Sequence, residues 1–306
     1  MKPVYQRNRV YSLIVGKGDD AVEINNLQIV FEATKTSNNK EKKNTASIKI
    51  YNLSEDRRKR LEDEYIQVVF SVGYSDSGLV QLFSGQVTNV YSTKLKTHNT
   101  SRQGTDLVTT LELDELFTQT NANVVTGIVP AGKTVRDVIL ATIKDIPEIT
   151  RQEMGGEGIG IQVPNGYPLA GTPRQILDKL SHDYDLEWQI DNGVLYVSDY
   201  NDTFSNDKSS VFSVGQFSGL IDRPEYINEE AKRLKRKSKG KNPKKLVRKN
   251  AIKFKILLNP SIIAGSIIRL DFEPYTGYYK VDEVTHKGDF RGNDWISEIR
   301  CTEKID

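Results

Sequence analysis

Alternation of apolar and polar residues dominates both ends of the chain and predicts β-strands there. Near the start, the pattern marks strands at 28–33, 46–53, 66–72, 79–91 and 106–113. Toward the end, it marks strands at 251–257, 266–272, 277–284 and 294–301. A short helix from Glu55 to about Tyr65, capped by Ser54, interrupts the first group. We predict polar loops at 36–44 and 92–104, and a bulge or sharp bend at Gly85.

The middle of the chain has a different pattern, which is typical of a small α/β unit. Thr134 precedes apolar residues at helical spacing, and this helix is predicted to end at Pro147. Thr172-Pro173-Arg174-Gln175 combines a capping Thr, a first-turn Pro and a Gln that can complete a capping box. Asn192-Gly193 lies between two alternating stretches and predicts a tight β-hairpin.

The two β regions present the same features in the same order. Residues 44–53 correspond to 250–259, and the strand at 66–72 corresponds to 267–272. A Val-x-x-Val pair follows in each region, at 87 and 90 and again at 281 and 284. This order favours duplication of one β module. The sequence therefore predicts a mainly β fold with two related β-barrel modules, at 1–126 and 206–306, and a small α/β insertion module between them at 127–205.

The charge of the chain is unevenly distributed. The formal net charge is +2, yet residues 232–249 hold eleven Lys or Arg and no acid, so the remainder is acidic. Such a segment attracts phosphates, but it has no aromatic residue for base stacking. We predict a loop that docks on an acidic protein neighbour, with DNA as the alternative ligand. Its positive residues are Lys232, Arg233, Lys235, Arg236, Lys237, Lys239, Lys241, Lys244, Lys245, Arg248 and Lys249.

The sequence pattern does not indicate a catalytic site. The three histidines, His98, His182 and His286, lie far apart and have no metal-ligand spacing. The glycine-rich stretch 155–160 lacks the Lys-Ser/Thr pair of a phosphate-binding loop, and we predict a mobile loop instead. The sequence pattern indicates no pair of acidic residues of the kind that cell-wall hydrolysis requires. We therefore expect no catalytic residue, no metal and no cofactor.

The remaining chemically distinctive residues are interpreted as parts of the core. Cys301 is the single cysteine, so the chain cannot form an intramolecular disulfide, and it lies in an alternating strand. Trp188 and Trp295 also lie in predicted strands. The first residues form no apolar leader, and no stretch approaches the ~18 apolar residues of a membrane span. We expect synthesis in the cytoplasm and no membrane span.

Four segments, taken in order, resemble the baseplate hub proteins of contractile-tailed bacteriophages and related injection machines. They are NTASIKIYNLS at 44–54, SGLIDRPE at 218–225, LNPSIIAGS at 258–266 and VDEVTHKGD at 281–289. The resemblance covers both β modules. The basic segment 232–249 departs from it, since it is longer and more charged than a strand connection requires.

The resemblance implies tail-tube-like barrels in a homotrimer located in the virion tail baseplate. Two similar modules per chain would give the trimer pseudo-sixfold symmetry. The implied partners are the tail tube protein, the central spike protein and other baseplate proteins, with DNA passing transiently through the lumen. Two alternatives stay open: a nucleic-acid-binding protein that acts through 232–249, and a cell-wall-degrading tail enzyme.

Overall fold

A computed structural model of the chain describes residues 8–16, 21–36, 44–61, 66–96, 105–199, 211–227 and 251–303. The first part forms strands β1 (Arg9–Val15), β2 (Val22–Ile24), β3 (Ile29–Thr36), β4 (Thr45–Tyr51), β5 (Gln67–Tyr74), β6 (Gly78–Lys96) and β7 (Thr105–Asp114). Helix α1 (Glu55–Leu61) lies between β4 and β5, and α2 (Phe117–Asn121) follows β7.

The middle part contains both helices and strands, in the order β8 (Val125–Val129), α3 (Val135–Ile143), β9 (Arg151–Met154), a 3-10 turn (Gly158–Gly160), β10 (Tyr167–Gly171), α4 (Pro173–Tyr184), β11 (Leu186–Asp191) and β12 (Val194–Asp199). The last part forms β13 (Val211–Gly215), β14 (Glu225–Ile227), β15 (Ala251–Leu257), β16 (Ile267–Asp271), β17 (Gly277–Asp289) and β18 (Trp295–Glu303). The prediction of a mainly β fold is confirmed.

Thirteen strands from the two ends of the chain form one sheet. We call β1–β7 the first set and β13–β18 the second set. The two sets join where β3 pairs antiparallel with β17, from Thr36 opposite Glu283 to Val30 opposite Asp289. The first set curls so that its distant strands come into contact. Three strands separate β3 from β5 in the sheet, yet Phe31 on β3 stacks edge-on against Phe70 on β5 with 4.9 Å between ring centroids. No pairing among the described strands closes either set, so two closed barrels are not confirmed.

The two sets pair their strands in the same order. The first set runs β3-β4-β7-β6-β5, and the second set runs β14-β15-β18-β17-β16. Two equivalent strand pairs, β6–β7 and β17–β18, also share a bulge. It lies between Val87 and Asn89 in β6 and between Val281 and Glu283 in β17. The repeated Val positions of the sequence therefore mark the same structural irregularity in both sets. One difference is that β1 pairs antiparallel with β5, whereas β13 pairs parallel with β16.

Buried apolar side chains form three clusters. One fills the first set, one fills the second set, and one lies in the middle part between Leu116 and Val197. Leu258 and Trp295 come from the last part of the chain but pack in the first cluster. The tip of the β17–β18 hairpin therefore extends across the joint and helps to fill the first set.

The predicted local signals of the middle part are present. Thr134 and Thr172 each cap a helix through a reciprocal capping box, with Asp137 and Gln175 respectively. The Asn192-Gly193 turn connects β11 to β12 with positive φ at both residues, as a type I′ turn requires. These features form from neighbouring residues alone, which is why the sequence predicts them well.

Other predictions about local structure were wrong. Residues 92–96 were predicted to be loop but extend β6. Pairing with residues 105–109 of β7 keeps this polar segment in strand conformation. The bulges of β6 lie at Leu82 and Thr88 and not at Gly85. Gly85 instead permits close approach, since a Cβ there would lie 2.7 Å from the carbonyl oxygen of Asp114. Strands β1, β2, β8–β10, β13 and β14 were not predicted.

Candidate assembly surface and comparison with known proteins

Strand β11 attaches the middle part of the chain to the joint between the two sets. All six of its residues are buried. Its apolar residues, Leu186, Trp188 and Ile190, belong to the middle core. The alternating residues, Glu187, Gln189 and Asp191, bond to groups on or near β3 and β17. A strand with one face in its own core and a polar face on a neighbour is a docking surface inside the chain.

Two buried ion pairs connect β11 to the two sides of the joint. Asp191 pairs with Lys35 on β3, and Glu187 pairs with Lys280 on β17. Both lysines are almost fully buried, at 1% and 3% exposure. Buried ion pairs contribute little net stability relative to apolar contacts, but separating them is costly. We interpret the pairs as fixing where β11 docks, because each buried lysine lies against a carboxylate of β11 that neutralises its charge.

A third carboxyl group, Glu115, lies beside the first of these pairs. Asn44 donates hydrogen bonds to Glu115 Oε2 at 3.0 Å and to the Ile190 carbonyl at 2.7 Å. Among the described residues, Glu115 Oε1 has no hydrogen-bond partner. Burial, followed by the nearby charge of Asp191, raises the pKa of Glu115 to about 8. Glu115 is therefore protonated at neutral pH, and the cluster stays close to electrically neutral.

The described histidines do not form a site. His286 is fully buried on β17, where its ring nitrogens lie 2.8 Å from Ser297 Oγ and 3.2 Å from the Ile262 carbonyl oxygen. Burial, assisted by the charge of Lys35, lowers the pKa of His286 to about 3, so the ring is neutral. His182 lies on the exposed end of α4. His98 falls outside the described residues.

Cys301 and the two tryptophans are core residues, as predicted. Cys301 is fully buried on β18 opposite Val281, and burial raises the pKa of its thiol well above the usual value. Trp295 packs edge-on against Phe31, and Trp188 donates a hydrogen bond to Asp178 Oδ1 at 3.1 Å. A protonated, inaccessible thiol cannot act as a nucleophile.

The glycine-rich stretch 155–160 binds a carboxylate of its own chain. The backbone N–H groups of Glu157 and Gly158 donate to the two carboxylate oxygens of Asp199, at 2.8 and 2.9 Å. These two N–H groups are thus occupied by Asp199 and are not available to bind a phosphate. This local pairing explains why the stretch folds into a short 3-10 turn where a mobile loop was predicted.

The predicted interaction residues lie outside the described part of the chain. This applies to the whole basic segment 232–249, so its docking role stays a prediction. Within the described ranges, no group of three or more His, Cys, Asp or Glu side chains could bind a metal ion. None of the helices in those ranges is long and apolar enough to cross a membrane.

Comparison of the fold with solved structures gives consistent matches to tail proteins. A 43 kDa tail protein of prophage MuSo2 from Shewanella oneidensis superposes with a TM-score of 0.64 and 8% identity, over 96% of this chain and 97% of that one. A tail protein from Neisseria meningitidis MC58 gives a TM-score of 0.61 and 11% identity, over 96% of each chain. The chain has the fold of these tail proteins. No family model and no curated protein matches its sequence.

The same fold occurs in a second kind of machine. An E. coli component of the type VI secretion system, described as structurally similar to bacteriophage T4 tail proteins, gives a TM-score of 0.60 and 8% identity. The match covers 91% of this chain and 74% of that one. The tail-protein fold therefore extends over nearly the whole described chain, including the middle part.

Proposed function

We propose that this chain is a structural hub subunit of a phage-type tail baseplate or a related injection machine. Its fold, shared with tail proteins over 96% of the chain, carries this proposal. In this role three copies form a ring, and the two sets of each copy alternate around it to give pseudo-sixfold symmetry. The ring joins the tail tube to the central spike and leaves a lumen through which DNA passes.

The repeated strand order supports the ring geometry. Each copy supplies two sets with the same pairing order and the same bulge, so three copies supply six similar units. The proposed modules are 1–126, 127–205 and 206–306. In this arrangement the middle module lies against the joint between the sets and sets their relative position. The basic segment 232–249 docks on an acidic baseplate neighbour.

Imaging of particles that contain the chain, combined with light scattering of the purified protein, tests the ring. We expect three copies per tail and a trimer mass. A ring of six copies, or a single copy in assembled tails, would contradict the pseudo-sixfold arrangement.

The proposed role requires no catalysis, and the rival role of a cell-wall-degrading enzyme can be tested directly. We expect the purified chain to release no fragments from peptidoglycan. Robust release by the isolated chain would falsify the structural reading.

A further inference from the structure

Half of strand β6 has an open edge. Strand β5 pairs with β6 only as far as Gln86, so residues 89–95 pair with β7 alone among the described strands. We call residues 89–95 the open edge of β6. Their side chains are exposed, apart from a half-buried Val90. Tyr91 and Leu95 are each 44% exposed. An exposed edge with apolar side chains is a template for pairing with another strand.

The equivalent edge in the second set is covered. The shared bulge places residues 283–289 of β17 in the position of residues 89–95 of β6. These residues of β17 pair with residues 30–36 of β3, which belongs to the first set. His286 is fully buried there, whereas its equivalent Ser92 is exposed. Within the described ranges, the first set therefore has no strand in the position where β3 covers the second set.

The strand equivalent to β3 is β14, and its outer edge is also open. Pairing of β3 with β4 and of β14 with β15 makes Ala33 equivalent to Tyr226. Within the described ranges, β14 pairs only with β15. Ala33 is 1% exposed under its neighbours, whereas Tyr226 is 58% exposed. Each copy thus carries both sides of a second joint, at separate places.

We propose that β14 of a second copy pairs antiparallel with the open edge of β6, and so repeats between chains the β3–β17 joint made within each chain. The equivalences fix the register. The partner's Ile227 lies opposite Tyr91, the partner's Tyr226 opposite Ser92, and the partner's Glu225 opposite Thr93. This inference rests on the proposed ring and names the contact that closes it.

Strand addition supplies the attraction and the direction of this contact. Backbone groups of an exposed edge gain hydrogen bonds, and alternate side chains provide specificity. Tyr91 opposite an Ile is a favourable aromatic–aliphatic cross-strand pair. The contact joins two different surfaces, so repeated copies close into a ring when the rotation allows it. A contact between identical surfaces would stop at two copies.

Disulfide trapping in the full chain tests both the joint and its register. Chains with Thr93→Cys are mixed with chains with Glu225→Cys and oxidised with copper phenanthroline. A second mixture pairs Ser92→Cys with Tyr226→Cys. Opposite residues of antiparallel strands alternate between hydrogen-bonded and non-hydrogen-bonded pairs, and the Cα atoms are closer in the second kind. One of the two mixtures therefore tests the closer spacing. We expect linked dimers in at least one mixture and none from any single variant alone. The native Cys301 is fully buried and serves as an unreactive background.

A register control uses Asn89→Cys with Glu225→Cys. This pair is offset by four residues, or about 13 Å along the strand, whereas disulfides need Cα atoms within about 7 Å. We expect no linked species from it. Equal linking by both registers would overturn the proposed pairing.

The failure of the joint and the failure of the ring have different signatures. A trimer mass in light scattering without any linked dimer would overturn the joint and leave the ring in place. A monomer mass without linking would overturn both. A chain that carries Thr93→Cys and Glu225→Cys together should give linked species that stop at three copies. A ladder beyond three copies would retain the joint but contradict the closed trimer.

Discussion

Lys35 and Asp191 are 156 positions apart in the sequence, yet their side chains form a buried ion pair. Asp191 lies in a stretch whose alternation resembles a half-exposed strand, so its carboxylate would ordinarily be assigned to solvent. The structure instead buries both faces of that strand. Because the pair is buried, removal of one partner leaves the other charge buried without compensation. The stability of such variants therefore tests how the middle part is attached.

Loss of one member of this pair should cost more than loss of both. We expect Lys35→Met or Asp191→Leu alone to lower the free energy of unfolding by about 3–5 kcal/mol. The double variant should lose much less than the sum, since neither charge remains buried alone. Urea unfolding followed by tryptophan fluorescence measures the three values. Strict additivity would mean that the pair does not interact.

The matched control is the exposed pair Lys59 and Glu55 on α1. Both side chains are about two-thirds exposed, at 67% and 68%. Lys59→Met should change the free energy of unfolding by no more than about 0.5 kcal/mol.

Glu115 should make the chain less stable as pH rises toward 8. Folding raises the pKa of Glu115 from its ordinary value of 4.5 to about 8, so the folded state holds a proton that the unfolded state releases. The associated stability is complete below pH 4.5 and is lost as pH rises through 8. The contribution of neutral His286 is complete above pH 6.5. Among the described groups whose pKa shifts on folding, Glu115 alone is therefore expected to change the stability between pH 6.5 and 8.

The variant Glu115→Gln should have a flatter profile over this range. In the native chain, one proton corresponds to a slope of up to about 1.4 kcal/mol per pH unit. Urea unfolding at several pH values measures the slope. Glu55→Gln, on the exposed face of α1, is the control and should keep the native slope. Identical slopes for the native chain and Glu115→Gln would contradict the assignment.

Among the described strands, β17 has the largest number of strand partners. It pairs with β16, β18 and β3 along its length, and its far end enters the core of the first set beside Trp295. Gly288 lies at this end because a Cβ there would come within 2.4 Å of two ring atoms of Phe31 and within 2.8 Å of a ring atom of Trp295. The lack of a side chain is thus a condition for the joint.

We expect Gly288→Ala to lower the free energy of unfolding by about 1–3 kcal/mol through overpacking. The Phe31 ring cannot yield easily, since it also contacts Phe70 edge-on. Gly155→Ala is the control, because no heavy atom of a described residue, apart from its own chain neighbours, lies within 4 Å of a Cβ at that glycine. Thermal or urea unfolding of the two variants measures the difference. A neutral Gly288→Ala would show that the aromatic stack can move.

Sequence prediction at the element scale succeeds where partners are near. The helix caps at Thr134 and Thr172 and the hairpin at Asn192-Gly193 depend only on neighbouring residues. It fails for β14, whose three residues gain their strand conformation from pairing with β15. It also fails at 92–96, where a polar composition indicates loop but a long ladder with β7 holds the strand.

For the whole molecule, the basic segment provides the sharpest test of assembly. Replacement of the Lys and Arg residues in 235–245 with Ser removes seven positive charges. If the segment docks on an acidic neighbour, we expect fewer complete baseplates in electron micrographs, because the attraction is electrostatic. Replacement with Arg at the same Lys positions keeps the charge and should preserve assembly. Normal assembly with failed DNA delivery would instead favour the DNA alternative.

Local sequence patterns were sufficient to predict most strands at both ends of the chain, the helix caps and hairpin of the middle part, and the shared order of the two β regions. Those features depend on side-chain alternation and on residues a few positions apart. Two features depend on the three-dimensional arrangement and could not be predicted: the two sets share one sheet through β3 and β17, and β11 docks on this joint through Lys35 and Lys280. Pairing between distant strands depends on which edges and charges are left over after local folding. An alternating pattern does not specify its partner.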